Sequence, residues 1–258
     1  MLLAIDIGNT NITLGLYDGD ELGSHWRFST GVEKTADEFG LLILGLFRRA
    51  GIRSSDVTST AIASVVPQLT GAFVEACLQY LGCTPLVVDD ACKTGVSILC
   101  DNPSEVGADR IVDAVAVHNL YGGPACVVDF GTATTFDAIT KKGEYLGGAI
   151  APGIGISAEA LFKRAAKLPK VDLFQHSTTI GRNTAQSLQS GLLFGYIGLV
   201  EGMVERIRGE LGQEMKVIAT GGLAETIASK TDTITIVAPW LTLEGLRIIH
   251  ELNVEVIE

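Results

Sequence analysis

The chain lacks any apolar run near the roughly 20 residues that a membrane-spanning helix requires, so no membrane partner is expected. Its five cysteines (Cys77, Cys83, Cys92, Cys100, Cys126) are odd in number and form no C-x-x-C pair. That excludes a disulfide scaffold and fits reduced thiols in a cytoplasm. Positive charge is scarce as well: 19 Lys and Arg against 30 Asp and Glu leave a net charge of −11, with a pI near 4.8. No basic face outweighs that field, so nucleic acid is not expected as a partner. His25, His118, His176 and His250 share no metal-ligand spacing, and no structural zinc is expected. No G-x-x-x-x-G-K-[ST] occurs, which excludes a P-loop kinase. The apolar start MLLAIDIG has no basic segment before it and meets Asp6 at once, so it reads as a strand and not as a signal peptide.

What is present is a globular composition. Over 258 residues, 47% are hydrophobic and 19% charged, with a mean hydropathy of +0.34. That is enough chain for one large domain or, better, two smaller ones. Within it one pattern occurs twice. Residues 4–19 read AIDIGNTNITLGLYDG and residues 127–143 read VVDFGTATTFDAITKKG. Each is an apolar strand ending in Asp-x-Gly, then small polar residues, a second β-rich strand and a turn. Asp6 matches Asp129 and Gly8 matches Gly131. Glycine lets backbone approach closely, consecutive N–H groups form an anion nest, and Thr and Asn add donors. A lone hairpin of this kind is commonplace; one at the head of each half points to two phosphate-holding tips, each with an Asp to hold a cation or orient water.

The rest of the pattern alternates. Strands are expected at 2–7, 11–17 and 24–29, followed by a helix capped by Thr35 with Glu38 at its third position and stopped by Gly51. A strand at 60–66, a helix from Pro67 through Tyr80 with Gly82 as its stop, and a short strand at 85–89 complete the first half. A helix from Ala108 to Leu120, ended by Gly122-Gly123, connects the halves. The second half reads strands 125–130, 134–140 and 145–150, a helix from about Ser157, and a long helix from Thr184 to Leu211. After these come strand 216–220, helix 223–229, strand 235–238 and a last helix at 242–252. Both halves run β-β-β-α-β-α-β with extra helices. This predicts an α/β fold of two coupled lobes, each a sheet covered by helices, with a cleft between them.

Several segments hold candidate chemistry. In DNPSEVGADR (101–110), Asn102-Pro103 signals a turn and Asp109-Arg110 opens a helix. A carboxylate and a guanidinium there can take a proton and grip a polar substrate. Taken alone, Asp109 is as simply a first-turn residue favoured by the helix dipole, which would also weaken it as a base. Gly153, Gly155 and Ala158 satisfy G-x-G-x-x-A with Asp172 downstream, but they follow a meander of hairpins and not the first βα unit. A tight turn feeding a helix N-terminus accounts for them and still presents amides to an anion. In TTIGRNTAQS (178–187) either Asn183 or Thr184 is placed to cap the long helix. Gly221-Gly222 would let a flat ring lie against the backbone. Lys163, Arg164, Lys167 and Lys170 read as a solvated helix face.

DIGNTNIT (6–13), NPSEVGADR (102–110), DFGTATTFD (129–137), GGAIAPGI (147–154), TTIGRNTAQS (178–187) and TGG (220–222) together resemble the type III pantothenate kinases of the acetate and sugar kinase/Hsp70/actin superfamily. The resemblance spans essentially the whole chain, and EVGADR with DFGTATT is its most specific part. It implies two duplicated actin-like (ribonuclease H-like) lobes, residues 1–117 and 118–258. It implies ATP-dependent phosphorylation of pantothenate, the first step towards coenzyme A, with Mg²⁺, a monovalent cation (K⁺ or NH₄⁺) and a homodimer. On this basis Asp6, Ile7, Gly8, Asn9, Thr10, Asn11, Ile12 and Thr13 look like the first phosphate loop, with Asp6 near the phosphates and Mg²⁺. Thr132 looks like an ATP contact and Asp129 like the monovalent-cation ligand. Gly107, Ala108, Asp109 and Arg110 look like the pantothenate site, with Asp109 the proton acceptor, and Thr184 like a further substrate contact. Cys100 departs from the family, many of whose members carry Tyr there. A superfamily kinase with another small acceptor, or a regulatory accessory protein, are the competing readings.

Overall fold

The computed structural model describes residues 1–164, 169, 171–172 and 178–254; Lys167, Lys170 and His176 lie outside them. Two compact units emerge, Met1–Tyr121 with Trp240–Glu258, and Gly122–Pro239. The boundary expected at 117/118 therefore falls a few residues later, and the end of the chain returns to the first unit.

In the first unit, strands β1 (Leu2–Ile7), β2 (Asn11–Asp18), β3 (Glu21–Ser29), β4 (Ser59–Ser64) and β5 (Leu86–Val87) form a sheet in the order β3-β2-β1-β4-β5. β1 runs antiparallel to β2 and parallel to β4. Being central, β1 is apolar on both faces. Leu3, Ile5 and Ile7 join the core beneath α1 (Ala36–Ala50) and α2 (Pro67–Ala76). Leu2 and Ala4 join the opposite core, with Val112 and Val115 of α3 (Ala108–Leu120) and Leu246 and Ile249 of the last helix. Helix α1 forms where its caps say: Thr35 and Glu38 make a capping box and Gly51 closes the end at φ 73°. Its buried residues Ala36, Phe39, Gly40, Ile43 and Phe47 repeat at helical spacing. The second helix departs from expectation, because its α-geometry ends at Ala76 and a π-turn, Cys77–Leu81, carries the chain to Gly82. A short strand β6 (Ser97–Ile98) precedes α3.

In the second unit, β7 (Ala125–Phe130), β8 (Ala133–Ile139), β9 (Glu144–Pro152), β10 (Lys216–Gly221) and β11 (Ile236–Val237) repeat the arrangement, in the order β9-β8-β7-β10-β11. β7 is antiparallel to β8 and parallel to β10, as β1 is to β2 and β4. Helices α4 (Ile154–Arg164), α5 (Thr184–Leu211) and α6 (Ala224–Ala228) belong to this unit, and the chain ends with α7 (Leu241–Asn253) in the first. The repeat seen in sequence is thus a repeat of topology: two mixed sheets covered by helices. α4 starts at Ile154, three residues before the expected Ser157, as the chain turns directly out of β9 at Gly153. Among the described residues no helix is long and apolar enough to cross a membrane.

Candidate active site

The first hairpin is closed by a turn over Gly8, Asn9, Thr10 and Asn11. Asp6 pairs with Thr13 and Ile7 with Ile12, and Gly8 N donates to Asn11 O at 3.0 Å. A Cβ on Gly8 would lie 2.9 Å from that same carbonyl, so only glycine closes the turn without displacement. Asn9, Thr10 and Asn11 are exposed, whereas the side chains of Ile7 and Ile12 are core and Thr13 is buried. Any contact from Ile7 or Ile12 to a nucleotide therefore uses backbone. Strand alternation puts Asp6 on the face of Leu2 and Ala4, which is the face that α3 and α7 cover.

The start of α3 reaches that end of the sheet. Val65, just past β4, donates its N–H to Ile7 O at 3.0 Å. Gly107, the residue before α3, lies against Val65, with 3.4 Å between its ideal Cβ position and Val65 Cγ1. Asp109 folds back over the helix start, its Oδ1 accepting from Arg110 N at 2.8 Å. A side chain at 107 would meet Asp109 Oδ1 at 2.6 Å, so glycine there leaves the carboxylate its place. Gly107, Ala108, Asp109 and Arg110 are all half-buried. The first unit thus gathers Asp6, the Gly8 turn and the Asp109 carboxylate outside the carboxyl ends of two parallel strands, where open α/β sheets bind ligands.

The second unit builds its own tip. Asp129 pairs with Thr135 and Phe130 with Thr134, leaving Gly131 and Thr132 exposed at the turn. Glycines surround the Asp129 carboxylate. The ideal Cβ of Gly131 would be 3.3 Å from Oδ2, and that of Gly221, at φ 88°, would be 2.3 Å from Oδ1. The space beside Gly221 is bounded by the Asp129 carboxylate and the Phe130 backbone. Gly153 packs against the turn itself: its N–H donates to Thr132 O at 3.1 Å, and a Cβ there would meet Thr132 O at 2.3 Å. So segments 129–132 and 220–222 meet at the Asp129 carboxylate, and segment 147–154 meets the backbone of the same tip.

Two residues absent from the sequence-based candidates hold these tips. Thr30, one residue past β3, donates its hydroxyl to Gly8 O at 2.6 Å and its N–H to Thr10 O at 2.9 Å. Tyr196 of α5 is bonded through its hydroxyl to Thr134 Oγ1, beside the second tip. Burial pushes the Tyr196 phenol up, bonds from Thr134 and the Ile154 backbone pull the other way, and the Asp129 carboxylate adds to the rise. Neither carries a motif; only the knowledge that β3 ends beside the turn, or that α5 crosses β8, would have found them. Thr184 is exposed on the first turn of α5, and Asn183 is the cap, its side chain accepting from Gln186 N at 2.9 Å. Lys163 and Arg164 are solvated as expected, Lys163 pairing with Glu159 at 2.6 Å.

Hard cations take oxygen ligands. The second tip offers them in the Asp129 carboxylate and the carbonyls of Gly131 and Thr132 beside Gly153. Among the described residues no three His, Cys, Asp or Glu side chains stand together as a metal group.

Two mixed sheets, each opened by a Gly-containing Asp hairpin and covered by helices, define a fold of two actin-like lobes. Solved structures agree on this fold. A Campylobacter jejuni protein described as a Baf family transcriptional activator superposes with a TM-score of 0.60 at 19% identity, over 97% of this chain and 98% of its own. A Sinorhizobium meliloti protein described as a 2-dehydro-3-deoxygalactonokinase gives 0.59 at 14% identity, over 100% and 98%. At such identities these likenesses speak for fold alone. Sequence comparison goes further: a profile of type III pantothenate kinase matches residues 2–206. The type III pantothenate kinase of Moorella thermoacetica is 55% identical over 253 residues, which is 98% of this chain and 100% of that protein. The chain belongs to the type III pantothenate kinase family.

Proposed function

We propose that this protein transfers the γ-phosphoryl group of ATP to the hydroxyl of pantothenate, the first step towards coenzyme A. The observation that carries the reading is the placement of the Asp109 carboxylate over the start of α3, kept clear by Gly107 and joined through Val65 to the strand that leads into the Gly8 turn. Residues 6–13 hold the phosphates through backbone N–H groups and the Asn9, Thr10 and Asn11 side chains, and Thr132 serves at the second tip. Gly107, Ala108 and Arg110 hold pantothenate about Asp109, with Thr184 a further contact. The pantothenate oxygen forms a bond to the γ-phosphorus as the bond to the ADP oxygen breaks, and the hydroxyl proton passes to Asp109. In phosphoryl transfer a base of modest strength suffices, because positioning and electrostatics supply most of the acceleration. Mg²⁺, held by the phosphates near Asp6, and K⁺ or NH₄⁺ at Asp129 would offset the charge on the phosphoryl oxygens. A homodimer and a cytoplasmic setting belong to the same reading. The homodimer is supported by α4, which turns Ile156, Leu161 and Phe162 to solvent, and a light-scattering mass of one chain would refute it.

The test is ADP release from ATP, with and without pantothenate, in Mg²⁺ and K⁺. Release should depend on pantothenate, and Asp109→Asn should lower kcat by about 100-fold or more while ATP still binds. Release with another acceptor only would keep the kinase and discard the substrate. Near-wild-type turnover in Asp109→Asn would remove Asp109 from the role of base.

A further inference from the structure

The Gly8 turn is short, its outer residues are exposed, and the backbone bond from Gly8 N to Asn11 O closes it. The direction of its N–H groups depends on how its carbonyls are held, and Thr30 holds two of them. Its hydroxyl holds the carbonyl of Gly8 at 2.6 Å and its N–H holds the carbonyl of Thr10 at 2.9 Å. In a planar trans peptide the carbonyl and the following N–H point in opposite directions. Fixing the Gly8 and Thr10 carbonyls towards Thr30 therefore turns the N–H groups of Asn9 and Asn11 away from it. Consecutive backbone N–H groups whose directions are set in this way are the donors of an anion nest.

We infer that Thr30 is the positioning residue of the first phosphate loop, setting the direction of the Asn9 and Asn11 amides before nucleotide arrives. This rests on the reading of residues 6–13 as a phosphate loop. In this role Thr30 acts through the two carbonyls. The hydroxyl carries the separable part of the effect, because the backbone bond to Thr10 survives any substitution at 30 except proline.

The experiment compares wild type, Thr30→Val and Thr30→Ser. Valine keeps the shape and removes the hydroxyl; serine restores it. The apparent KM for ATP should rise about tenfold in Thr30→Val, the worth of one lost hydrogen bond. The KM for pantothenate should stay within twofold, and Thr30→Ser should recover most of the ATP affinity. A purely structural role would move both KM values together and leave serine no better than valine, which would overturn the proposal. Hydrogen exchange gives a readout that needs no turnover: in the absence of nucleotide, amides 8–11 should exchange faster in Thr30→Val than in wild type. The same measurement on wild type, with and without a non-hydrolysable ATP analogue, tests the underlying reading. No protection of residues 6–13 would discard the phosphate loop itself. Protection in wild type combined with an unchanged ATP KM in Thr30→Val would discard only Thr30's part.

Discussion

At Gly221 the backbone sits at φ 88° and an added methyl would stand 2.3 Å from Asp129 Oδ1. Both facts bear on one substitution. Gly221→Ala must strain the backbone and push the carboxylate aside, at a cost of about 2 kcal/mol. If Asp129 holds a monovalent cation, the variant should also need more K⁺ for half-maximal activity. An unchanged K⁺ requirement, with thermal stability lowered, would place Asp129 outside the cation site. The thiols obey the same rule of surroundings. Burial pushes Cys77 up to about 12, helped by the nearby Cys83, and Cys126 up to about 12, helped by the Asp137 carboxylate. Neither thiol is a nucleophile at neutral pH, so these cysteines are core residues with sulfur in them.

Among the elements, α1 shows how local chemistry can suffice. Thr35 Oγ1 accepts from Glu38 N at 3.4 Å and Thr35 N donates to Glu38 Oε2 at 2.8 Å, and the apolar face then buries Phe39, Ile43 and Phe47. Thr35→Ala should cost about 1 kcal/mol of stability, measured by denaturant unfolding, with no change in turnover. Its start and stop were legible because both caps are written in side chains that act within a few residues. Tertiary contact decided the rest. The α-geometry of α2 gives way at Cys77 where Tyr80 packs flat on Gly40, an added Cβ on which would lie 2.2 Å from the ring, and donates its hydroxyl to Asp37 at 2.6 Å. The pair Asn183 and Thr184 could not be ranked from sequence, since both can cap; the extended φ of −149° at Asn183 settled it. Within the site, the Asp-x-Gly tips and GADR were legible as motifs, whereas Thr30 and Tyr196 were not, because each acts across a strand crossing that no local pattern encodes.

For the whole molecule, the return of the chain matters most. Leu243, Leu246 and Ile249 of α7 are buried against β1, β4 and α3, and Thr242 donates to the buried Asp113 of α3 at 2.8 Å. Arg247, itself 8% exposed, gathers Asp20 at 2.6 Å and Glu251 at 2.7 Å. Ending the chain at Pro239 would expose one face of the first sheet and leave Asp113 buried without Thr242. Such a truncation should abolish cooperative unfolding of the first unit, read by hydrogen exchange of β1 and β4. Persistent protection of those strands would show that α7 is an accessory and not part of the core.

Residue order by itself determined the alternation of strands and helices, the doubled hairpin and the family, because periodicity, caps and motifs are properties of neighbours along the chain. It did not determine that α7 completes the first unit, that three glycine-containing segments converge on the Asp129–Thr132 tip, or that Thr30 holds the Gly8 turn. Those depend on which surfaces meet once the sheets are covered, and burial of apolar area is indifferent to distance in sequence.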